Sequence, residues 1–150
     1  MKEIEIYTDG SCSGNPGPGG WGVVLIYGPF LKTINGGEAH TTNNQMELAS
    51  VIHALDNLKE KCKVKLYSDS NYVIKAFTEG WIDGWIAKGW KNSQKKPVAN
   101  RELWEKLIKL VNKHEVEFIK VPGHAGNQYN ELADTLAVEA TEKTKKEMVK

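Results

Sequence analysis

The segment IEIYTDGSCSGNPGPGGWGVV, residues 4–24, runs an apolar stretch into an aspartate, follows it with glycines and prolines, and then becomes apolar again. Apolar and β-branched residues predict one strand over residues 3–8 and a second over 21–28. Their short connection predicts an antiparallel pair. Asp9 is unusual here, because aspartate is disfavoured in strands; a turn-forming role is the simplest structural explanation.

The remaining pattern extends this sheet and then alternates strands with helices. From Leu48 to Leu58, apolar residues fall at helical spacing after the cap-forming residues Thr42, Asn43 and Asn44. The order βββαβα(α)αβα predicts an α/β fold, with a mixed five-stranded sheet of three antiparallel and two parallel strands flanked by helices. Further strands are predicted at 31–40, 63–69 and 115–121, and helices at 44–59, 70–80, 81–88, 99–114 and 130–141.

Length and composition favour one domain over residues 1–150, with a frayed tail at 141–150. A chain of 150 residues with 40% hydrophobic residues can bury one sizeable core. The sequence contains no apolar run of about 18 residues and no signal-peptide pattern, so a cytoplasmic protein without a membrane span is expected. Cys12 and Cys62 lack metal-ligand spacing and are expected to be reduced thiols.

The glycines of the opening segment match a dinucleotide-binding motif only in their spacing. Gly17, Gly19 and Gly22 have that spacing, but such a motif requires a helix after the glycines, and a strand is predicted here. Pro16 and Pro18 also remove two backbone N–H donors. We therefore expect no nucleotide cofactor. The glycines are better explained by the close approach of another backbone, either the protein's own or a ligand's.

Basic and aromatic residues are concentrated in one segment, although the net charge is only +1. Residues 84–101 carry four lysines and an arginine without any acid, and Trp85 and Trp90 lie among them. A solvated loop with tryptophans in the core would explain this composition, and so would a patch that binds a phosphate backbone.

Four acids occupy positions where acids are unusual: Asp9, Glu47, Asp69 and Asp134. Each has a structural explanation of its own, as a turn former, a first-turn helix acid, a helix cap or a surface charge. Parallel central strands would nevertheless bring Asp9 and Asp69 to neighbouring strand ends. Carboxylates packed together repel one another unless they bind a proton or a cation, and oxygen ligands suit a hard divalent ion.

Five motifs in order and at matching spacing carry a resemblance that covers residues 3–141. DGSCSGNPGPGGWG, TTNNQMEL, YSDSNYV, GWKNSQKKPVAN and VPGHAGNQYNELAD are similar to those of type 1 ribonuclease H in its bacterial single-domain form. The resemblance implies the ribonuclease H-like fold and an endoribonuclease that hydrolyses the RNA strand of RNA/DNA hybrids. It also implies two Mg²⁺ ions, for which Mn²⁺ can substitute, and products with 3′-hydroxyl and 5′-phosphate ends.

The resemblance also implies roles for individual residues. The metal-binding carboxylates would be Asp9, Glu47, Asp69 and Asp134, and His124 would assist proton transfer or product release near the metals, with Glu131 in a secondary role. RNA-strand contacts would come from Ser13, Asn15, Asn43, Asn44 and Gln45. DNA-strand contacts would come from Thr42, His40, Asn100, Trp81 and Trp85, supported by the basic residues Lys88, Lys91, Lys95 and Lys96.

Some positions depart from the family pattern, and alternative functions stay open. The family commonly has an arginine where this chain has His40, lysines at Ile86 and Ala87, and a basic residue at Pro122. The alternatives are another nuclease of the same fold, or a hybrid-binding module with weak catalysis. An RNA/DNA hybrid is the expected partner, and the protein is expected to be a monomer.

Overall fold

The structure, a computed structural model, describes residues 1–122 and 126–149. Strands and helices follow one another in the predicted order. Their bounds are β1 (Lys2–Cys12), β2 (Gly17–Tyr27), β3 (Phe30–Thr41), α1 (Asn43–Asp56), β4 (Cys62–Ser68), α2 (Asn71–Thr78), α3 (Trp81–Ala87), α4 (Arg101–Asn112), β5 (Glu115–Lys120) and α5 (Gln128–Met148).

The five strands form one mixed sheet in the order β3-β2-β1-β4-β5. β1 pairs with β2, and β2 with β3, in antiparallel fashion, whereas β1–β4 and β4–β5 are parallel. This arrangement confirms the predicted fold class. The hydrophobic alternation of β4, with every second residue buried, matches a strand covered on one face.

Helices cover the two faces of the sheet unequally. The main core joins Ile4 and Ile6 of β1 to Leu48 of α1 and Trp104 of α4. A smaller cluster on the other face joins Tyr7 and Val24 to Ala133, and through it α5 packs against the sheet. Helices α1 and α4 therefore pack on one face of the sheet and α5 on the other.

The glycine-rich segment is mostly strand rather than loop. β2 begins at Gly17, four residues before the predicted start. A β-carbon built on Gly20 would lie 2.6 Å from Ala137 O, and one on Gly22 would lie 2.4 Å from Ala133 O. The backbone that approaches these two glycines is thus that of the protein's own helix α5, so larger side chains would push the helix off the sheet.

The last helix corrects the predicted frayed end. α5 was expected to stop at residue 141, but it continues to Met148. Thr141 is buried, and a β-carbon on Gly37 of β3 would lie 2.1 Å from Thr144 Oγ1. Packing against β3 holds the additional two turns in helical form despite their lysine-rich composition.

Two sequence expectations concern thiols and membrane spans. Cys12 and Cys62 are free cysteines, as expected. Among the described residues, no helix has both the length and the apolar character needed to cross a membrane.

Candidate active site

The parallel β1–β4 ladder brings two aspartates together at its carboxyl end. Tyr7 is paired with Tyr67, and their rings stack at 4.5 Å between centroids. Asp9 lies two residues after Tyr7, and Asp69 lies two residues after Tyr67. Because residues two apart along a strand point to the same face, the two aspartates lie side by side on one face, just beyond this pair. Strand register, rather than proximity in sequence, juxtaposes the two carboxylates.

Glu47 enters the cluster from the first turns of α1. Thr42 caps this helix by accepting a hydrogen bond from Gln45 N at 3.2 Å. The helix begins directly against β1: a β-carbon on Gly10 would lie 2.4 Å from Glu47 N. Only glycine allows that approach, which places the Glu47 side chain beside Asp9.

The three carboxylates form a compact, mostly buried group. Oxygen atoms of Asp9, Glu47 and Asp69 all lie within 4.8 Å of one another. Asp9 and Glu47 are 6% exposed, whereas Asp69 is partly exposed, so the cluster opens to solvent on the Asp69 side. The predicted juxtaposition of Asp9 and Asp69 is confirmed, and Glu47 joins them.

Burial and mutual repulsion perturb the ionisation of this group. Burial raises the pKa of the Asp9 carboxyl, and the charges of Glu47 and Asp69 and a hydrogen bond with Asp134 raise it further. Burial likewise raises the pKa of Glu47, assisted by the charge of Asp69, while hydrogen bonds from Gly10 N–H, Asp9 and Ser70 partly oppose the rise. The site thus favours protonated carboxyls unless a cation compensates their charge.

The donor set fits a divalent metal ion. All ligand atoms in the cluster are carboxylate oxygens, which hard cations prefer, and their separation suits shared coordination. Asp134, in the second turn of α5, adjoins the cluster through Asp9. An acidic triad of Asp9, Glu47 and Asp69 could therefore bind metal, with Asp134 beside it.

The residues assigned to RNA-strand contacts border this cluster. Asn15 Oδ1 accepts a hydrogen bond from Asn43 N at 2.8 Å, which ties the β1–β2 turn to the start of α1. Ser13 N donates to Pro18 O at 2.8 Å and closes that turn. Asn43 and Asn44 are exposed in the first turn of α1. The turn and the helix start therefore form one continuous polar rim beside the carboxylates.

Gln45 connects this rim to the residues assigned to the DNA strand. Its Oε1 accepts from Thr41 Oγ1 at 2.9 Å, and its Nε2 donates to Asn100 Oδ1 at 3.2 Å. Both polar atoms of the Gln45 side chain are thus engaged within the protein. Thr42 and Asn100 lie on either side of this link, and His40 lies exposed two residues before Thr42.

Aromatic and basic residues form a separate groove on α3 and the segment after it. Trp81 and Trp85 lie 6.4 Å apart between ring centroids, and Trp81 is 36% exposed. Trp85 also contacts the buried Trp104 edge-on at 5.2 Å, so it serves both the core and the groove. The groove is lined by Trp81, Gly84, Trp85, Lys88, Lys91, Asn92 and Ser93. The contact of Trp85 with Trp104 fits the explanation in which tryptophans of this segment pack against the core, and phosphate binding by the segment stays a prediction.

The other predicted site residues are placed as follows. Lys95 and Lys96 are exposed in a turn closed by Asn92, outside the groove lining. Glu131 is exposed in the first turn of α5. His124 lies outside the residues that the structure describes.

Sequence reasoning missed three residues that contact the site. Ser70, the N-cap of α2, hydrogen bonds with Glu47, and Lys120 Nζ donates to the backbone oxygen of Asp69. Tyr72 accepts a hydrogen bond from Asn100. Ser70 and Tyr72 lie in the motif YSDSNYV with Asp69, which is the sequence signal that could have found them, whereas each of the three contacts joins residues distant in the chain.

Comparison with known proteins identifies the family. The family model described as RNase H matches residues 1–142. The chain belongs to the ribonuclease H family. A curated Ribonuclease H from a Thermoanaerobacter species is 57% identical over 136 residues, which covers 91% of this chain and 88% of the relative. These similarities to ribonuclease H identify the chain as a nuclease of the hydrolase class.

Solved structures agree with this assignment. LC9-RNase H1, described as a type 1 RNase H with the type 2 active-site motif, superposes with a TM-score of 0.85 at 34% identity, covering 96% of this chain and 74% of that one. LC11-RNase H1 in complex with RNA/DNA hybrid superposes with a TM-score of 0.72 at 27% identity, covering 93% of this chain and 97% of that one. The predicted family is therefore confirmed.

Proposed function

We propose that the chain is an endoribonuclease that hydrolyses the RNA strand of RNA/DNA hybrids with two Mg²⁺ ions, leaving 3′-hydroxyl and 5′-phosphate ends. The buried carboxylate cluster of Asp9, Glu47 and Asp69 is the observation that carries the proposal. Support also comes from the family match and from a relative whose structure is a complex with an RNA/DNA hybrid. Mn²⁺ would be a second suitable ion, because it accepts the same oxygen ligands.

The carboxylates would hold the metal ions by giving up their protons. Bound ions supply Lewis acidity and an activated water for attack on phosphorus. Asp9 and Glu47 carry raised pKa values in the metal-free protein, so metal binding would release protons from this pair. Asp134 would complete the set, and Ser70 orients Glu47 by hydrogen bonding. We assign His124 to proton transfer near the leaving group, with Glu131 in support.

Selection of the substrate would occur on the polar rim and in the tryptophan groove. An RNA strand differs by its 2′-hydroxyl, which can both donate and accept a hydrogen bond in the shallow minor groove. Ser13, Asn15, Asn43 and Asn44 offer small polar groups for that test. For the DNA strand, Thr42, His40 and Asn100 would contact a phosphate, while Trp81 and Trp85 would stack on sugars and bases.

A cleavage assay tests the proposal against its alternatives. Labelled RNA/DNA hybrid, RNA duplex and DNA duplex are each incubated with the protein and Mg²⁺. We expect cleavage of the RNA strand in the hybrid alone, with a 3′-hydroxyl on the upstream product. Hybrid binding without cleavage would favour the binding module, and cleavage of a duplex other than the hybrid would favour another nuclease of the same fold.

A further inference from the structure

The Tyr72 hydroxyl, in the first turn of α2, joins the core to the DNA-strand residues. Its oxygen accepts hydrogen bonds from Trp104 Nε1 at 3.0 Å and from Asn100 Nδ2 at 3.1 Å. An indole N–H can only donate, and Trp104 is 0% exposed, so this donor depends on the Tyr72 oxygen. Tyr72 thereby connects a fully buried residue of α4 to Asn100 at its start.

Asn100 is fixed at both ends of its amide. Its Oδ1 accepts from Gln45 Nε2 at 3.2 Å, while its Nδ2 donates to Tyr72. Gln45 is itself fixed by Thr41, which donates to Gln45 Oε1. In the structure the donors of this chain of hydrogen bonds all point the same way, from Thr41 towards Tyr72, and the Asn100 amide has its Nδ2 turned towards Tyr72.

The geometry of Asn100 serves no evident purpose for α4 itself. Asn100 precedes α4 in a left-handed conformation with φ of 62°, yet its side chain makes no capping hydrogen bond. Among the described residues, the second hydrogen on Nδ2 has no protein acceptor. An unusual backbone conformation and two side-chain bonds therefore hold one N–H donor ready at the protein surface.

We propose that Tyr72 is a positioning residue for DNA-strand binding, holding the Asn100 amide so that its remaining N–H donates to a phosphate oxygen. This inference rests on the proposed function, in which Asn100 contacts a phosphate of the DNA strand. Phosphate oxygens are strong acceptors, and a donor that is already oriented loses less conformational entropy on binding. Tyr72 acts through Asn100 and does not itself contact the substrate.

A purely structural role for Tyr72 predicts a different result. Its ring packs against Trp104 at 5.2 Å between centroids, and Tyr72→Phe would retain that contact. Loss of the hydroxyl would leave the Trp104 donor unsatisfied and lower the stability. The test must therefore report on a phosphate contact rather than on stability alone, and Val64→Ala in β4 serves as a destabilised control remote from Asn100.

The experiment uses hybrids whose DNA strand carries one uncharged methylphosphonate, moved position by position. Binding is measured with Ca²⁺ in place of Mg²⁺, so that cleavage does not occur. We expect wild type to lose affinity when one particular phosphate is neutralised. Tyr72→Phe should bind the unmodified hybrid about three- to tenfold more weakly, the range of one ordinary hydrogen bond, and should lose most of the penalty at that position.

Two further variants keep the test decisive. In an Asn100→Ala background, Tyr72→Phe should change the affinity by less than about twofold, because coupled residues are not additive. If Tyr72→Phe does not fold, Tyr72→Phe combined with Trp104→Phe removes the unsatisfied donor together with its acceptor. In cleavage assays with Mg²⁺, the Tyr72 variant should raise KM and leave kcat near the wild-type value, and Val64→Ala should change neither.

Several outcomes would overturn the inference. These are an unchanged methylphosphonate profile in Tyr72→Phe, the absence of any sensitive phosphate in wild type, and a full effect of Tyr72→Phe in the Asn100→Ala background. Failure of the proposed function would appear separately, as the absence of hybrid cleavage by wild type with Mg²⁺.

Discussion

Gly10 lies directly beneath the backbone of Glu47, close enough that a β-carbon on Gly10 would lie 2.4 Å from Glu47 N and 2.5 Å from Met46 C. This contact between β1 and α1 sets the distance between the Asp9 and Glu47 carboxylates. Moving α1 away from Gly10 would disrupt packing, because the nearest atoms belong to the backbone of the helix and its buried residues pack in the main core.

Gly10→Ala should therefore lower both stability and activity. We expect a loss of about 1–3 kcal/mol in the free energy of unfolding, typical of an overpacked site, and at least a tenfold lower kcat as Glu47 moves from Asp9. Urea unfolding and hybrid cleavage measure the two effects. Gly84→Ala is the stability control: it lies within α3, and nothing lies within 4 Å of its β-carbon. Unchanged stability and kcat in Gly10→Ala would contradict the packing described.

Asp9→Asn should abolish cleavage and alter the dependence of stability on pH. In the metal-free protein the pKa values of Asp9 and Glu47 are raised above those of the unfolded chain. Their contribution to stability is thus full below the ordinary carboxyl pKa of about 4 and is lost as pH rises through the raised values. Asp9→Asn removes one of these two titrating groups.

Unfolding in EDTA between pH 4 and 9 measures this effect. The free energy of unfolding of wild type minus that of Asp9→Asn should decrease by more than about 1 kcal/mol as the pH rises. This amount is about the free energy that corresponds to a shift of one pKa unit. Metal ions should restore stability to wild type at neutral pH and have less effect on the variant. A pH-independent difference, or retained Mg²⁺-dependent cleavage by Asp9→Asn, would contradict the assignment of the carboxylate cluster.

His53 should make the protein less stable in mild acid. Its ring stacks on Trp21 at 4.0 Å between centroids, and burial, aided by Lys106, lowers its pKa below the ordinary 6.5. The stability contribution is therefore present above pH 6.5 and is lost as pH falls through the lowered value. His53→Phe retains a stacked ring without a charge. Thermal unfolding at pH 7 and at pH 5 should show that His53→Phe loses less free energy of unfolding in acid than wild type does. The difference should be about a few tenths of a kcal/mol, because water reaches part of the imidazole.

His114 provides a second titrating histidine and a comparison for His53. Its Nδ1 accepts a hydrogen bond from Cys62 N at 3.1 Å, and burial lowers its pKa too. His53→Phe should therefore reduce the acid sensitivity without removing it. If the free energy of unfolding depended on pH in the same way in wild type and in His53→Phe, the stacked imidazole would have to be exposed to solvent.

A hybrid with 2′-O-methyl groups around the scissile phosphate should resist cleavage. Methylation removes the hydroxyl donor and adds bulk where Ser13, Asn15 and Asn43 would approach the RNA strand. We expect at least a tenfold lower kcat/KM than with natural RNA, about the effect of leaving one polar group unpaired. An RNA strand methylated only at a distant end is the control. Equal cleavage of the RNA methylated around the scissile phosphate and of the RNA methylated only at a distant end would refute 2′-hydroxyl recognition by the polar rim.

His40→Arg should tighten hybrid binding. His40 is exposed close to Thr42, and a guanidinium would present a permanent, forked charge to the DNA phosphate. The gain should be several-fold, about 1 kcal/mol, because the guanidinium forms a charge-assisted contact with the phosphate. Binding in Ca²⁺ measures it, and Lys32→Arg on the same strand, far from Thr42, is the control. Equal affinities of wild type and His40→Arg for the hybrid would indicate that His40 faces water.

The sequence by itself determined the order and type of the elements, the mixed sheet and the acids of the site. Alternation and helical spacing are local properties, so they can be read from the chain, and Asp9 stood out because aspartate is disfavoured in strands. The motifs shared with ribonuclease H supplied the roles. Boundaries were less predictable: β2 starts at Gly17 and α5 reaches Met148, since packing against neighbouring elements extended both.

Only the tertiary structure decided which residues meet. Strand register places Asp69 beside Asp9, and the bare Gly10 admits Glu47 to the same cluster. It also revealed that Gly20 and Gly22 accommodate α5, and that Tyr72, unremarkable in sequence, holds Asn100 from the core. Such contacts join residues far apart in the chain, and their energies depend on distance and orientation in the folded protein, which no local sequence pattern encodes.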